Sequence, residues 1–517
     1  MLFRESSRRD WPFAGLLPYR LYDYPLPAVM KRTPPVEPQA WPPPMAPRVR
    51  EWRERIGLAR ALDQIYVHVP LCPFKCDFCA FYKEVGRDKS EDVVDGILRE
   101  IDLYAGVART ADRPYRSVYL GGGTPTQLRT DQLALVLGAI RRRFPLAPDV
   151  EITLEGIAEH FLRPGYLEGC FELGVNRISF GVQSVDPVVR KSIGRGVEDL
   201  ESFERAVRRA RELDPDVPVN VELMIGCPDQ SEESVAHDLA EVTRWQTGSV
   251  DVSSYVMVPG TRLHHMILSG MRSEPGYGAN LLKLRQRVTS TFRAAGYRPA
   301  RTEVFIRSDR HRFAPTSPEE VGDSLHTVLP LGPSAIGQLE GTSYRNECDL
   351  QTYLKAVHAK KLPLERIERM APATARRRAR MNAIGSLYVP DALIDSSRVR
   401  GLFRKWERQG LVERGDGGFR LTDAGIHWEN QMQTSMLGMG DAVRMLRLIG
   451  SVDEQAELVK GKTELSRELL AHTRAEGGLR GWLREAGYKA AVTAMRLAPG
   501  VDKRAIGLKG TVEAAPK

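Results

Sequence analysis

Two periods of apolar positions alternate along the middle of the chain. Short runs rich in β-branched and aromatic residues predict strands at 64–69, 117–120, 150–154, 176–180, 219–225 and 250–256. Between them lie stretches with helical spacing. Residues 92–105 carry Val93, Val94, Ile97, Leu98 and Ile101 on one face, and residues 131–143 carry Leu133, Val136, Leu137 and Ile140. Repeated strand–helix alternation predicts an α/β fold with a parallel sheet and right-handed crossovers. Six such units predict a partial (β/α)6 barrel, and in such barrels chemistry collects at the C-terminal ends of the strands.

The flanking pattern divides the rest of the chain. Residues 1–60 pair early aromatics with a proline-dense run from Pro25 to Pro47, which predicts an extended arm lying along the body and covering the active site. Residues 61–362 hold the barrel and its extension. Residues 363–430 read as a helical domain with a winged-helix-like end: an apolar set of Leu402, Phe403, Trp406, Leu411 and Val412 precedes a Gly415-Asp416-Gly417-Gly418 turn. A winged helix can bind DNA, but a lid or scaffold over the active site is the preferred reading. Residues 431–517 form a helical extension and tail in which Met432, Met436, Met439 and Met445 read as core filling.

Cysteine spacing supplies the first chemistry. The first strand runs directly into Cys72-Pro73-Phe74-Lys75-Cys76-Asp77-Phe78-Cys79. Three thiolates can hold three irons of a cubane cluster and leave the fourth iron open to a ligand, whereas a closed electron-transfer site uses four protein ligands. Zinc competes less well, since it wants a fourth Cys or His at comparable spacing. Cys170, Cys227 and Cys348 are scattered and read as structural. With 517 residues, 42% hydrophobic and a net charge of +9, the chain is long enough for two to four domains and permits an anionic partner. Its basic residues are mixed with acidic ones, so nucleic acid is not expected, and Arg141–Arg143 and Arg376–Arg378 read as solvated helix faces. The start lacks the apolar run of a secretory signal and no stretch is long enough to span a bilayer, so a reducing cytoplasm and no membrane contact are expected.

Other unusual residues fall at the expected strand ends. The second strand ends in Leu120-Gly121-Gly122-Gly123-Thr124-Pro125-Thr126, where glycines let backbone approach a ligand. The third ends at Glu155, the fourth is followed by Gly181-Val182-Gln183 with Arg195 beyond it, and the fifth contains Glu222.

The C-x-x-x-C-x-x-C pattern after a strand resembles the radical S-adenosylmethionine (SAM) superfamily. In that superfamily SAM chelates the open iron and is cleaved to a 5'-deoxyadenosyl radical. Tyr66-Val67-His68-Val69-Pro70, Gly121–Thr126, Asn176-Arg177-Ile178-Ser179-Phe180-Gly181-Val182-Gln183 and Gly332-Pro333-Ser334-Ala335-Ile336 are similar to the oxygen-independent coproporphyrinogen III dehydrogenase branch over residues 60–430. That branch holds coproporphyrinogen dehydrogenases, haem chaperones, haem-degrading methyltransferases and class C methyltransferases and cyclopropanases. The resemblance implies a 4Fe-4S cluster on Cys72, Cys76 and Cys79. It implies SAM contacts from Tyr66, Phe78, Gly122, Gly123, Thr124, Glu155, Gln183 and Arg195, with Ile336 near a second SAM.

Departures from the branch pattern decide between its activities. The dehydrogenases have a further cysteine where Phe81 stands, and their Asp-Leu-Ile-x-Gly-Leu-Pro reads Glu222-Leu223-Met224-Ile225-Gly226-Cys227-Pro228 here. The change from Asp to Glu leaves the cofactor contact at Glu222 open. These departures and the long terminal additions favour methylation or cyclopropanation of an sp2 carbon in a small molecule, with two SAM molecules, one as carbon donor. Coproporphyrinogen III dehydrogenation comes second and a haem chaperone last. The expected partners are the small-molecule substrate and an electron donor such as flavodoxin or ferredoxin, acting on a monomer.

Overall fold

The computed structural model describes residues 31–32, 36–42, 47–55, 63–79, 84–85, 89–107, 110, 114–195, 200–255, 261–268, 271–273, 275–276, 279–311, 327–339 and 341–436. Its centre is a run of parallel strands. Ile65, Val67 and Val69 of β1 (Gln64–Val69) are completely buried, and each such side chain contributes roughly 1.5–3 kcal/mol. β2 (Tyr115–Gly122), β3 (Leu146–Gly156), β4 (Arg177–Gln183), β5 (Val219–Ile225) and β6 (Ser249–Ser254) follow side by side in sequence order, all parallel. These are the six expected strands. The predicted helical faces pack against them. Helix α1 (Ser90–Ala105) buries Val93, Val94, Ile97 and Ile101, and α2 (Thr130–Arg143) buries Leu133, Val136, Leu137 and Ile140.

The sheet continues on both sides of this run. β7 (Val328–Leu331) pairs in parallel with the free side of β1. β8 (Ile336–Leu339), β9 (Thr342–Asn346) and β10 (Leu364–Arg369) follow antiparallel. Beyond β6 the short strands Val304–Ile306 and Arg298–Pro299 close the far edge antiparallel. The expected boundary at residue 362 therefore falls just before β10, which still belongs to the large sheet.

A second apolar core lies under the C-terminal helices, around Trp406, Trp428, Phe403, Ile384 and Met432. Helix Pro372–Gly385, helix Ser397–Arg408 and a three-stranded sheet of Tyr388–Pro390, Gly418–Leu421 and Val412–Gly415 make the winged-helix-like unit. Gly417 takes the left-handed turn between the wing strands, φ 69°. Met432 and Met436 are buried in this core, as core filling requires. Met439, Met445 and the rest of 437–517 lie outside the described residues.

Two expectations need correction. The proline-dense arm is more than extended chain, because Pro47–Arg55 is a helix whose Val49 and Trp52 enter the second core. Proline suits the first helical position, where its missing N–H costs nothing. Ahead of that helix, Lys31 and Arg32 pair with Ile367 and Arg366 of β10, and Trp41 packs edge-on against Tyr344 at 4.9 Å. These segments lie along the antiparallel end of the sheet. The second correction concerns Arg378, expected on a solvated face but buried instead. It donates to Ser343 Oγ at 3.2 Å and Gln338 Oε1 at 3.4 Å, tying helix Pro372–Gly385 to β8 and β9. Among the described residues no helix is long and apolar enough to cross a membrane.

Candidate functional site

β1 delivers the cysteine loop to the C-terminal end of the parallel strands. Leu71–Cys72 pairs with Glu84–Val85, and Cys72, Cys76 and Cys79 are all buried. Neighbouring strand ends fix the loop. Gly123 N–H donates to Val69 O at 2.9 Å and Thr124 N–H to Leu71 O at 2.6 Å, while Cys72 Sγ lies 3.3 Å from Thr124 Oγ1. On the other side Asp77 N–H donates to Ile193 O at 3.0 Å, and Asp77 O accepts from Leu263 N–H at 2.8 Å. Arg195 spans the opening, with Nη1 donating to Cys76 Sγ at 3.3 Å and Nη2 to Gly181 O.

This donor set fits a cubane cluster with an open iron. Three thiols on one loop could each take a separate iron, and the Arg195 guanidinium beside Cys76 would offset thiolate charge. Among the described residues no three His, Cys, Asp or Glu side chains converge on one point, as a mononuclear site would need.

Below the cysteine loop the inner faces of β1 to β6 are polar. Side chains two apart on one strand face the same side, and strand register sets them in layers. Tyr66, Tyr119, Thr153 and Arg177 are successive cross-strand partners in one layer. Glu155, Ser179, Asn220 and Ser249 follow in the next. Gly181, Glu222 and Asp251 stand above that, at the mouth.

Both oxygens of Glu155 have donors. Tyr119 OH donates to Oε1 and Gly122 N–H to Oε2, the latter at 3.2 Å. Glu155 therefore fixes the left-handed Gly122, φ 98°, whose missing Cβ would stand 2.4 Å from His68 Nδ1. Tyr66 OH lies 3.1 Å from that nitrogen. Burial, reinforced by the charges of Glu155 and Glu222, pushes the Tyr66 phenol well above its ordinary range and keeps it neutral. Gln183 sits at φ 67°, where the β4–β5 register slips between Gly181 and Gln183. A Cβ added to Gly181 would meet Gln183 Nε2 at 3.2 Å, Arg195 Nη2 at 3.4 Å and Glu222 Oε2 at 3.7 Å. Three side chains expected from sequence thus meet over one glycine.

Phe78, between two of the cysteines, is partly buried and packs against an apolar cluster of Val189, Ile193, Met224, Cys227, Tyr255 and Leu263. Cys227 is buried there and burial raises its thiol far above the ordinary range. It is a packing residue, which removes it from the features that set this site apart from the dehydrogenases. Ile336 opens β8, one strand removed from β1 with β7 between them. Phe81 lies outside the described residues. Sequence reasoning missed Tyr119, His68, Arg177, Ser179, Asn220 and Ser249. Their signal was the polar side of the period-2 alternation, as in Arg177-x-Ser179-x-Gly181-x-Gln183, where a sheet buried on both faces would be apolar throughout.

Residues 66–242 match the model of the Radical SAM superfamily. An anaerobilin synthase of Escherichia coli O157:H7 is 29% identical over 394 residues, covering 74% of this chain and 86% of that protein. An oxygen-independent coproporphyrinogen III oxidase of Helicobacter pylori strain J99 is 26% identical over 391 residues, covering 70% and 82%. The solved structure of coproporphyrinogen III oxidase from Escherichia coli superposes with a TM-score of 0.63 at 22% identity, over 75% of this chain and 93% of that one. The fold is therefore shared with that enzyme.

Proposed function

We propose that this chain, which belongs to the radical SAM superfamily, is an enzyme of the coproporphyrinogen oxidase-like branch that abstracts hydrogen from a tetrapyrrole. One observation carries the reading. Arg195 joins Cys76 to Gly181 at the point where Gln183 and Glu222 converge, so the cysteine loop and a polar, charged cradle form one site. The names of the two relatives, an anaerobilin synthase and a coproporphyrinogen III oxidase, support a tetrapyrrole substrate.

A 4Fe-4S cluster with SAM on its open iron supplies, when bound and reduced by a donor such as flavodoxin or ferredoxin, the 5'-deoxyadenosyl radical. The chain's part is holding and orienting. Cys72, Cys76 and Cys79 are the cluster ligands. Gly122, Gly123 and Thr124 bring backbone against the loop, and Glu155 holds that turn rigid through Tyr119 and Gly122. Gln183, Arg195 and Glu222 offer an amide, a guanidinium and a carboxylate to the polar groups of SAM. Tyr66 walls the lumen beneath as a neutral phenol, and Phe78 with its apolar cluster keeps water from the other side of the loop.

The one-carbon transfer expected from sequence keeps less support. Of the departures that favoured it, Cys227 is a packing residue, and the names of the two relatives, an anaerobilin synthase and a coproporphyrinogen III oxidase, do not speak of carbon transfer. The experiment is anaerobic incubation of the cluster-loaded protein with methyl-labelled SAM and dithionite, adding haem in one arm and coproporphyrinogen III in the other. Formation of 5'-deoxyadenosine with loss of one tetrapyrrole is the expected result. Label in the product assigns a second SAM as carbon donor, and unlabelled product assigns direct abstraction. Neither tetrapyrrole changing, while SAM is cleaved, would overturn the substrate class.

A further inference from the structure

We infer that Arg177, Ser249, Asn220 and Ser179 form a positioning chain that holds Glu222 as a hydrogen-bond acceptor with its second oxygen turned to the mouth. Arg177 Nη2 donates to Ser249 Oγ at 3.2 Å, and Ser249 Oγ donates to Asn220 Oδ1 at 2.7 Å. Asn220 Nδ2 donates to Ser179 Oγ at 3.0 Å, and Ser179 Oγ donates to Glu222 Oε1 at 3.0 Å. Arg177, Ser249, Asn220 and Ser179 are all buried. Strand register produces the arrangement, because Ser179, Asn220 and Ser249 are direct cross-strand partners on β4, β5 and β6.

The polarity of the chain follows from its ends. An arginine can only donate, so Ser249 must accept from it and spend its single proton on Asn220. With Asn220 Oδ1 so occupied, its amide N–H₂ turns to Ser179, whose own proton is left for Glu222. Turning the amide over would leave Ser179 facing two acceptors, Asn220 Oδ1 and Glu222 Oε1, with one proton, and would leave the Ser249 proton without Asn220 Oδ1 to receive it. Every proton therefore runs toward Glu222, although Arg177 and Glu222 are separated by three side chains.

The consequence bears on the departure noted in the sequence. Glutamate has one more rotatable bond than the aspartate of the family pattern. Ser179 removes that freedom by fixing Oε1, which leaves Oε2 beside Gln183 Nε2 and Arg195 Nη2 over Gly181. Glu222 is thus presented in one orientation to whatever binds at the mouth. This inference rests on the proposed function insofar as the ligand met by Glu222 is SAM.

The test is anaerobic equilibrium binding of SAM to the cluster-loaded protein, with iron and sulfide content measured alongside. Ser179→Ala removes a hydrogen bond to a charged group and is expected to weaken SAM binding about tenfold, with iron content unchanged. Ser179→Thr, which keeps the hydroxyl, restores affinity. Asn220→Ala is expected to weaken binding by a smaller factor, and the double variant should bind no more weakly than Ser179→Ala alone, because Asn220 acts through Ser179. Independent structural damage would instead multiply the two losses. Wild-type affinity in Ser179→Ala, or multiplying losses in the double variant, overturns the positioning chain. Failure of the wild-type cluster form to bind SAM overturns the proposed function itself, before any variant is compared. If Asn220→Ala does not load iron, the Ser179→Ala and Ser179→Thr pair alone decides the matter.

Discussion

Replacing Gly123 by alanine tests the tightest joint of the site. A Cβ at this position would stand 2.5 Å from Val69 O, 2.6 Å from Leu71 O and 2.9 Å from Leu71 N. All three are backbone atoms, so no side chain can swing aside, and the cysteine loop itself must move. Movement stretches the Gly123 N–H bond to Val69 O and the Thr124 N–H bond to Leu71 O, each worth about 1 kcal/mol net. Overpacking adds roughly 1–3 kcal/mol, for about 3–5 kcal/mol together. It also separates Thr124 from Cys72. Gly138→Ala is the control. This glycine lies within α2, and its Cβ would meet only the end of the Arg142 side chain at 3.1 Å, so alanine there gains about 0.5–1 kcal/mol. Thermal unfolding and iron content of the anaerobically reconstituted proteins report both. Gly123→Ala should melt lower and hold less iron, with Gly138→Ala equal to or above wild type. Full iron loading and wild-type melting in Gly123→Ala would refute the close-approach reasoning.

Three further outcomes follow from the same geometry. Alanine at Cys72, Cys76 or Cys79 should abolish the 4Fe-4S absorption and reductive SAM cleavage while far-ultraviolet circular dichroism stays near wild type; a full cluster with SAM cleavage in any of the three would withdraw that ligand. Arg195→Ala removes a charge-assisted contact worth roughly 1.5–3 kcal/mol, so calorimetry should show SAM binding weakened about tenfold or more with the cluster retained, and unchanged affinity would remove Arg195 from the cofactor site. His427 is held down to about 4, chiefly by burial and then by the Arg285 guanidinium. Its depressed value means the unfolded chain takes up the proton first, so stability is full above the ordinary histidine value near pH 6.5 and is lost as pH falls toward about 4. The loss amounts to about 3 kcal/mol at 1.4 kcal/mol per pH unit. Melting curves of His427→Gln should be flatter over that window, and an identical acid slope would exclude His427 as its source.

The parallel half of the fold was legible because its strands are strongly apolar on the helix-packed side. β1 and β5 occupy the predicted residues, and β2, β3 and β4 differ by a few residues at their ends. The antiparallel extension was not resolved strand by strand, since β8 and β9 carry Gly337, Gln338, Thr342, Ser343 and Asn346 and have little periodic signal. The partners they find lie far off in sequence: Glu100 on α1 accepts from Asn346 Nδ2 of β9, and from Gly332 N–H ahead of β8, both at 2.7 Å. At the site, the cysteine spacing and Gly121–Gly123 were visible because few other uses exist for them. Ser179, Asn220 and Ser249 of the lumen layers were missed because serine and asparagine inside a strand carry no signature until register sets them against one another. The helix Pro47–Arg55 was hidden by the prolines before it, which read alike whether they extend a chain or begin a helix.

The strap formed by the N-terminal segment sets a condition on how the polypeptide is made. Lys31 pairs with Ile367, Val36 bridges to Leu362, and Val49 and Trp52 complete a core built mainly from residues beyond 370. At roughly 5–20 residues per second, this segment leaves the ribosome some tens of seconds before its partners exist. The parallel strands can assemble as they emerge, each beside its predecessor, whereas the strap must wait with its tryptophans undocked. It then closes over β10 in a late step with the long-range pairing that slows folding. Emergence of residues 362–436, rather than of the first half, is the moment at which the C-terminal unit acquires its full interior.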